Sequence, residues 1–508
     1  MMKNIIYGLW LGLGSCVAAD VALAEETAQF ERERERADSE RLQQNRHFEA
    51  LSVEADKPKT EWPPVADGKT VSLTREEALA HPDLLNQALA SALLQNQLDK
   101  VLFLYPIYTK LPLQEQDTLA RKWADAVYER SQRRHTQAIR LYRELIAQSN
   151  QLFLIRFQLA QALFENKEFE AAEDQFRKLA SERQVAENPQ LAKVVGEYLQ
   201  AVRNGQTWNF SGGVTYLQDK NINSAASDFD YTVDRRDAEG NIIGQAKVSS
   251  DKPESASGLN FNAGAERQWQ WGNGWFHQFQ SNVSGKYYWD NKRFNEVTGR
   301  VGAGVGYQNI TDKVAVTPFV EQSWYAGGSK KSDTVRRFSR SAGVSVEASK
   351  WLNHQWQVSG NAEYARQRYQ ERKHLDGYSS LLSLTAFYLP NARQHWFAGA
   401  DYLYNKTRDK ENAYQRPSVR LGWGQEWGKG FSTRVVLSYG YRRYQAPNFW
   451  QSVQKNREFS ANVSVWNRAL HFWGITPRLT WQYQQTKSNQ KFYTHDKNRL
   501  FIELNKQF

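Results

Sequence analysis

Cysteine is almost absent from this chain of 508 residues: there is one, Cys16, alongside only two methionines. Cys16 sits in a start that reads as a secretory leader, 1–24. Lys3 supplies the positive charge, Ile5 to Ala19 the apolar stretch, and Ala22-Leu23-Ala24 a small-x-small cleavage site before Glu25. Cleavage there leaves no cysteine, which excludes disulfides and thiol chemistry. Leu13-Gly14-Ser15-Cys16 also fits a lipobox loosely, and its use would instead acylate Cys16. Long apolar runs are equally scarce. Beyond the leader no 18 consecutive residues are apolar, and the mean hydropathy is −0.72. No helical membrane span is therefore available.

The residue patterns of catalysis are missing too. There is no Cys cluster, no His–Glu zinc helix and no glycine-rich phosphate loop. Gly302, Gly304 and Gly306 form a loose G-x-G-x-G, but it lies within a strand pattern and no helix follows. The nine histidines are scattered. The acidic stretch from Asp219 to Glu254 matches no calcium-loop spacing. The expectation is a protein that is not an enzyme and that holds no cofactor or metal.

Aromatic residues, in contrast, reach 13%, with 18 Trp and 24 Tyr. High aromatic content with low hydropathy suits a transmembrane barrel, because only every second strand residue meets lipid. Alternation begins at Trp208. Fourteen strands are predicted, near 207–218, 258–270, 275–289, 295–308, 314–326, 334–348, 355–369, 376–389, 395–407, 413–426, 431–445, 455–469, 474–486 and 496–508. Val301, Ala303, Val305 and Tyr307 share one face, with the three glycines between them. Val435, Leu437, Tyr439 and Tyr441 face lipid, opposite Arg434, Ser438 and Arg442. Ile475, Leu479, Trp481 and Tyr483 repeat the pattern against Arg478 and Gln482. Short turns such as Gly272-Asn273-Gly274 and Gly428-Lys429-Gly430 alternate with longer polar loops, of which 219–257 is the longest. In barrels the short turns are periplasmic and the long loops extracellular. Trp271, Trp275, Trp351, Trp356, Trp396, Trp427 and Trp473 lie at or beside the short turns and read as an interfacial girdle. Phe508, preceded by alternating Leu500, Ile502 and Leu504, looks like a barrel-assembly signal.

Parity then assigns lumen-lining candidates: Lys286, Arg300, Arg420, Arg434, Arg442 and Arg478, with Glu266, Glu321, Glu363, Asp401 and Glu503. Ion pairs that rigidify the wall, or groups that steer a polar client, both account for them. The net charge of +11 is unevenly placed: 40 Lys and Arg face 25 Asp and Glu from Gln206 onward. Secretion and the barrel pattern argue against nucleic acid as the partner of this excess. A pore lumen, anionic lipid head groups or an acidic client fit it better.

Before the barrel the period is helical. The run Glu31 to Arg46, followed by Pro58, Pro63 and Pro64, makes 25–72 a solvated arm in which prolines interrupt any helix. From 73 to 205 four position types recur at 34 residues: Ala92, Ala126 and Ala160; Leu104, Ala138 and Ala172; Tyr108, Tyr142 and Phe176; Leu111, Leu145 and Leu179. That is the tetratricopeptide (TPR) period. Small residues let paired helices approach, and the aromatic fills the gap toward the next repeat. Leu191 to Val202 reads as a capping helix. The fold class is thus a TPR-like α-helical repeat domain followed by a 14-stranded antiparallel transmembrane β-barrel, 206–508.

This layout resembles the Slam family, the surface lipoprotein assembly modulators of Gram-negative outer membranes. The likeness rests on the short repeat domain, the fourteen strands, and the junction from Trp208-Asn209-Phe210-Ser211-Gly212-Gly213-Val214 to Asp219-Lys220-Asn221-Ile222-Asn223. The resemblance implies transport of lipoproteins, and sometimes soluble proteins, from periplasm to cell surface. It implies clients that often capture iron, haem or host proteins, with a periplasmic chaperone and the barrel-assembly machinery as further partners. It carries no catalytic motif. An exopolysaccharide exporter and a passive porin are the alternative readings. The first usually has more repeats and sixteen strands, and the second needs no repeat domain.

Overall fold

The computed structural model describes residues 74–148, 153–227, 230–236, 241–249, 252–327, 332–448 and 451–507. The leader, Cys16, the arm at 25–72 and the terminal Phe508 lie outside these residues.

The repeat domain comprises α1 (Arg75–Ala80), α2 (Pro82–Leu94), α3 (Leu98–Tyr108), α4 (Thr118–Ser131), α5 (His135–Gln148), α6 (Phe153–Glu165), α7 (Phe169–Ala180), α8 (Arg183–Ala186) and α9 (Pro189–Asn204). Polar side chains fix the starts. Thr74 and Glu77 form a capping box on α1, Asp117 accepts from Ala120 N at the start of α4, and Asn188 caps α9. Helices α2/α3, α4/α5 and α6/α7 are the three repeats, and α9 packs on α7 as the cap. Ala92, Tyr108, Ala126, Ala138, Tyr142, Ala160, Ala172 and Phe176 are all buried in one continuous core. The aromatic of the third repeat, Phe176 on α7, stacks on Tyr198 of α9 at 4.8 Å.

The turn inside each repeat holds one non-glycine residue in left-handed conformation: Asn96, Arg133 and Lys167. Such a residue ends the first helix of the pair and lets the chain reverse. Two of these turns meet the barrel.

The barrel strands are β1 (Asn209–Asp219), β4 (Ala256–Gly272), β5 (Trp275–Tyr288), β6 (Glu296–Gln308), β7 (Asp312–Tyr325), β8 (Arg336–Trp351), β9 (Trp356–Tyr369), β10 (Gly377–Asn391), β11 (Gln394–Thr407), β12 (Tyr414–Glu426), β13 (Phe431–Pro447), β14 (Val453–Asn467), β15 (Arg478–Ser488) and β16 (His495–Gln507). They form one closed antiparallel sheet of fourteen. Closure leaves no sheet edge in hydrocarbon, where backbone polar groups must be paired. The long first loop carries a separate hairpin, β2 (Asp230–Arg236) with β3 (Ile242–Ser249), which alternation alone did not reveal.

Burial alternates with parity. Val214, Tyr216, Val301, Val320, Leu382, Leu384, Val419, Leu437, Leu479 and Leu500 are exposed and apolar, while Ser345, Ser383, Asp401, Ser418, Ser460 and Thr480 between them are buried and polar. The exposed set is the lipid face. Of the girdle tryptophans, Trp271, Trp275, Trp356, Trp396, Trp427 and Trp473 are exposed at the short-turn end. Trp351 is a correction. It follows Ser345 and Ser349 in parity, points inward, and packs on a buried apolar cluster. The strand expected at 474–486 begins at Arg478; Ile475 belongs to the preceding turn, where Trp473 and Gly474 both have positive φ.

The seam differs from the other junctions. The β1/β16 ladder holds five pairs, Ser211–Thr215 against Gln507–Glu503, whereas β13 and β14 share fourteen. Beyond Thr215 the seam is bridged from inside by the ion pair of Asp219 with Arg499, and in the loops by Ser227 N donating to Thr494 O at 2.9 Å.

Candidate functional site: the barrel lumen and its helical cover

The lumen is layered. Nearest the short-turn mouth, Phe387, Phe397 and Val436 form a buried apolar cluster with Trp351 and Leu389. Glycine makes room for it. A Cβ on Gly422 would stand 2.0 Å from the Phe397 ring, and one on Gly306 would stand 2.4 Å from Phe276. The inward glycines of the G-x-G-x-G stretch thus hold aromatic rings and side chains of neighbouring strands rather than phosphate.

Above this floor lie paired charges. Arg420 meets Asp401 at 2.9 Å and donates to Thr385 Oγ1 at 2.9 Å; Ser383 donates to Asp401 at 2.6 Å. Nearer the long loops, Glu458 accepts from Arg416 at 2.6 Å and pairs with Arg442 at 2.9 Å. Glu458 is 1% exposed, and Arg442 lies over the Tyr414 ring. Across the lumen, Arg300 of β6 reaches Glu363 of β9 at 2.7 Å, spanning two intervening strands. Such a chord is possible only if both point inward. Lys286 pairs with Glu296 at 3.3 Å, Glu503 accepts from Thr480 at 2.9 Å, and Glu266 accepts from Asn209 at 2.9 Å. Arg434 stands over Phe397 and Arg478 over Trp466. Glu321 is buried opposite Arg300 in the ladder. All the lumen candidates therefore occupy the inward face.

Five charged partners were missed: Glu296, Arg416, Glu458, Arg499 and Asp219. Arg416 precedes Pro417, and proline in a strand blurs the reading of its neighbours. Glu458 ends the polar run Gln454 to Glu458, where no apolar residue marks the faces. Counting back by twos from Phe459 would have placed Glu458 inward.

The short-turn mouth is covered by the repeat domain. Phe169 N donates to Gln270 Oε1 at 2.6 Å, and Gln270 Nε2 donates to Lys167 O. Ile310 N donates to Asn166 Oδ1 at 3.3 Å. Arg133 stands 5.6 Å from the centre of the Trp351 ring. Arg267 donates to Gln206 O in the linker at 3.1 Å and lies over Trp208. The intra-repeat turns of repeats two and three are thus the docking elements, and Trp351 joins the lumen floor to the cover.

The long-loop mouth carries a recurrent cap. In three loops a polar residue just before the returning strand accepts from the backbone N–H of the outgoing one: Asn295 from Tyr288 at 2.7 Å, Asp376 from Tyr369 at 2.7 Å, and Thr494 from Ser488 at 3.1 Å. The preceding 3-10 turn buries Phe294, Leu375 or Tyr493. The first loop folds similarly inward. Asn221 to Ala226 is buried, Ile222 packs with Leu217, Tyr288 and Phe294, and Asn221 caps its own turn through Ala225.

A polar lumen beneath a docked helical-repeat domain is the arrangement that comparison with known proteins can now place. Residues 208–508 match the family model described as surface lipoprotein assembly modifier, and residues 71–176 match the model of that family's N-terminal TPR repeats. The chain belongs to the surface lipoprotein assembly modifier family. It is 41% identical over 438 residues to surface lipoprotein assembly modifier 1 of Haemophilus influenzae, covering 86% of this chain and 87% of that protein. It is 40% identical over 470 residues to a surface lipoprotein assembly modifier of Pasteurella multocida, covering 89% of each. The hemophilin secretion modulator of Acinetobacter baumannii is 28% identical, over 84% of this chain and 86% of that one. As a member of this family with a closed fourteen-stranded barrel, the protein resides in the outer membrane, with its repeat domain on the periplasmic side.

Proposed function

We propose that the protein is a translocon: the repeat domain receives a client lipoprotein, or a related secreted protein, at the periplasmic mouth, and the barrel conducts it to the surface. The docking of Asn166, Lys167 and Phe169 on Gln270 and Ile310 carries this reading, because it sets a peptide-binding scaffold directly over the lumen. A passive pore has no use for such a cover. The lumen wall is polar, and Arg300, Arg416, Arg420 and Arg442 are each paired with a carboxylate, so an extended polypeptide meets hydrogen-bonding groups with much of the charge already balanced. An iron- or haem-capturing client is in keeping with the name of the Acinetobacter relative. A periplasmic chaperone and the barrel-assembly machinery are part of the same proposal.

The protein acts here without chemistry of its own. Its sequence carries no nucleotide-binding loop, so folding of the client outside supplies direction; a domain gains roughly 5–15 kcal/mol by folding. Reconstitution tests this. Full chain in liposomes is supplied with an unfolded client and a periplasmic chaperone on the repeat side. Client that becomes protease-accessible on the far side supports the proposal. Equal export by barrel lacking residues 25–205 removes the repeat domain from recognition. If neither form exports client while both pass small sugars, the porin reading replaces it.

A further inference from the structure

On the lipid face of β7, β8 and β9, apolar residues give way to cations toward the long loops, one row earlier on β9 than on β8. Val320 lies beside Ala342, and Ala342 beside Arg366; in the next outward row Gln322 lies beside Arg340, and Arg340 directly opposite Arg368. Arg337, Arg340, Arg368 and Lys373 line a pocket of about 310 Å³ with Gln322 and Gln370. All four cations are exposed. Lys373 donates to Tyr369 O at 2.6 Å. Among the described residues, Arg337, Arg340 and Arg368 have no ion-pair or hydrogen-bonding side-chain partner. The arrangement is repeated on β13 and β14, where Arg443 stands opposite Lys455 and both are exposed.

Like charges directly opposite in a ladder destabilise the pair. They persist where an anion joins them. Height identifies the anion. From the girdle residue Trp356 to Arg368, β9 runs twelve residues, about 40 Å along the strand at about 3.3 Å each. With strands tilted by about 40°, that is about 30 Å of height, just beyond an apolar band about 25 Å tall. The guanidinium groups therefore stand at the head-group level of the outer leaflet, which in Gram-negative outer membranes is phosphorylated glycolipid. Planar guanidinium forks match phosphate oxygens bidentately.

We propose that the pocket formed by Arg337, Arg340, Arg368 and Lys373 binds the phosphate groups of an outer-leaflet glycolipid. The site is on the outside of the wall, so it is independent of how a client crosses the lumen. A basic pocket at head-group level holds the lipid laterally against β7–β9, and the outward residues Val320, Ala342 and Tyr364 beneath it receive the acyl chains.

The test titrates purified full chain in detergent with lipopolysaccharide, with the same lipopolysaccharide after dephosphorylation, and with inorganic phosphate. Retained lipid is read by native mass spectrometry and protection by thermal unfolding. Lipopolysaccharide should bind and raise the melting temperature. Arg340→Gln with Arg368→Gln should weaken binding at least tenfold, and Arg340→Lys with Arg368→Lys, which keeps the charge but loses the fork, should weaken it less. Arg393→Gln, in a turn at the periplasmic end, should change nothing. Should the double glutamine variant fail to assemble, Arg337→Gln at the strand end gives the same reading with a smaller loss. Equal binding by the variants and the unaltered chain overturns the site. So does equal binding of dephosphorylated lipid, or inorganic phosphate that competes at the lipid's own concentration.

Discussion

Arg499 of β16 and Asp219 of β1 close, by one buried ion pair, the half of the barrel seam that the backbone ladder does not reach. Both side chains are at most 10% exposed. Removing one partner of such a pair costs about 3–5 kcal/mol, because the other charge stays buried. Arg499→Gln should therefore lower the temperature at which the folded barrel band is lost in heat-modifiability gels. Amide exchange should rise at Tyr216–Gln218 and Leu500–Ile502 before it rises in β13 and β14, whose ladder is fourteen pairs long. Uniform exchange around the barrel would show that the ion pair does not hold the seam.

At the other mouth, Arg133 and Gln270 fasten the repeat domain. A cation–π contact contributes about 0.5–2 kcal/mol and each net hydrogen bond about 0.5–1.5 kcal/mol. Arg133→Ala with Gln270→Ala should leave both domains folded yet free the cover. The linker at Gln206–Trp208 should then be cut by added protease at least several-fold faster, with the barrel band unchanged. An unchanged cleavage rate would place the fastening elsewhere.

Much of this was legible in the residues, for physical reasons. A strand against lipid must alternate, so Val435, Leu437 and Tyr439 mark one face and Arg434 and Arg442 the other. Where the outward residues are themselves polar the signal fades, as at Lys455 to Glu458, and Glu458 went unseen. Trp351 misleads for a related reason: tryptophan suits an interface, but an inward parity position beside a docked domain suits it as well. The five-pair seam has no local signature, since it joins residues nearly three hundred positions apart. The repeats were readable because helix packing demands small residues at Ala126, Ala138 and Ala160 wherever two helices approach.

Phe176 tests the 34-residue register. It is fully buried, stacked on Tyr198 and edge-on to Phe157 at 6.1 Å. Phe176→Ala should cost about 3–5 kcal/mol by leaving a cavity at the α7/α9 contact. In the full chain the helical circular-dichroism signal at 222 nm should melt at a lower temperature while the barrel transition stays in place. An unchanged helical transition would mean that α9 does not depend on this aromatic.

The last prediction concerns Glu165, which joins repeats two and three. Arg130 grips its carboxylate with two bonds of 2.8 and 2.9 Å, and His135 Nε2 lies 2.8 Å from Oε2. Burial alone would raise this carboxyl, yet the charge and hydrogen bonds of Arg130, with that of His135, hold it well below the ordinary carboxylate range. An unfolded glutamate titrates at about 4.3. Because the folded-state value is the lower one, the stabilisation is fully present above the unfolded value and is lost as pH falls through the folded one. The helical transition should therefore hold its temperature from pH 7 to about pH 5 and decline only in stronger acid. Glu165→Gln leaves Arg130 buried without its counter-charge, at a cost of about 3–5 kcal/mol. That variant should melt well below the unaltered chain at pH 7, and the gap should narrow as the unaltered chain loses its own pair at low pH. A constant gap from pH 7 to pH 2, or no gap at neutral pH, would show that the Arg130–Glu165 pair does not hold the two repeats together.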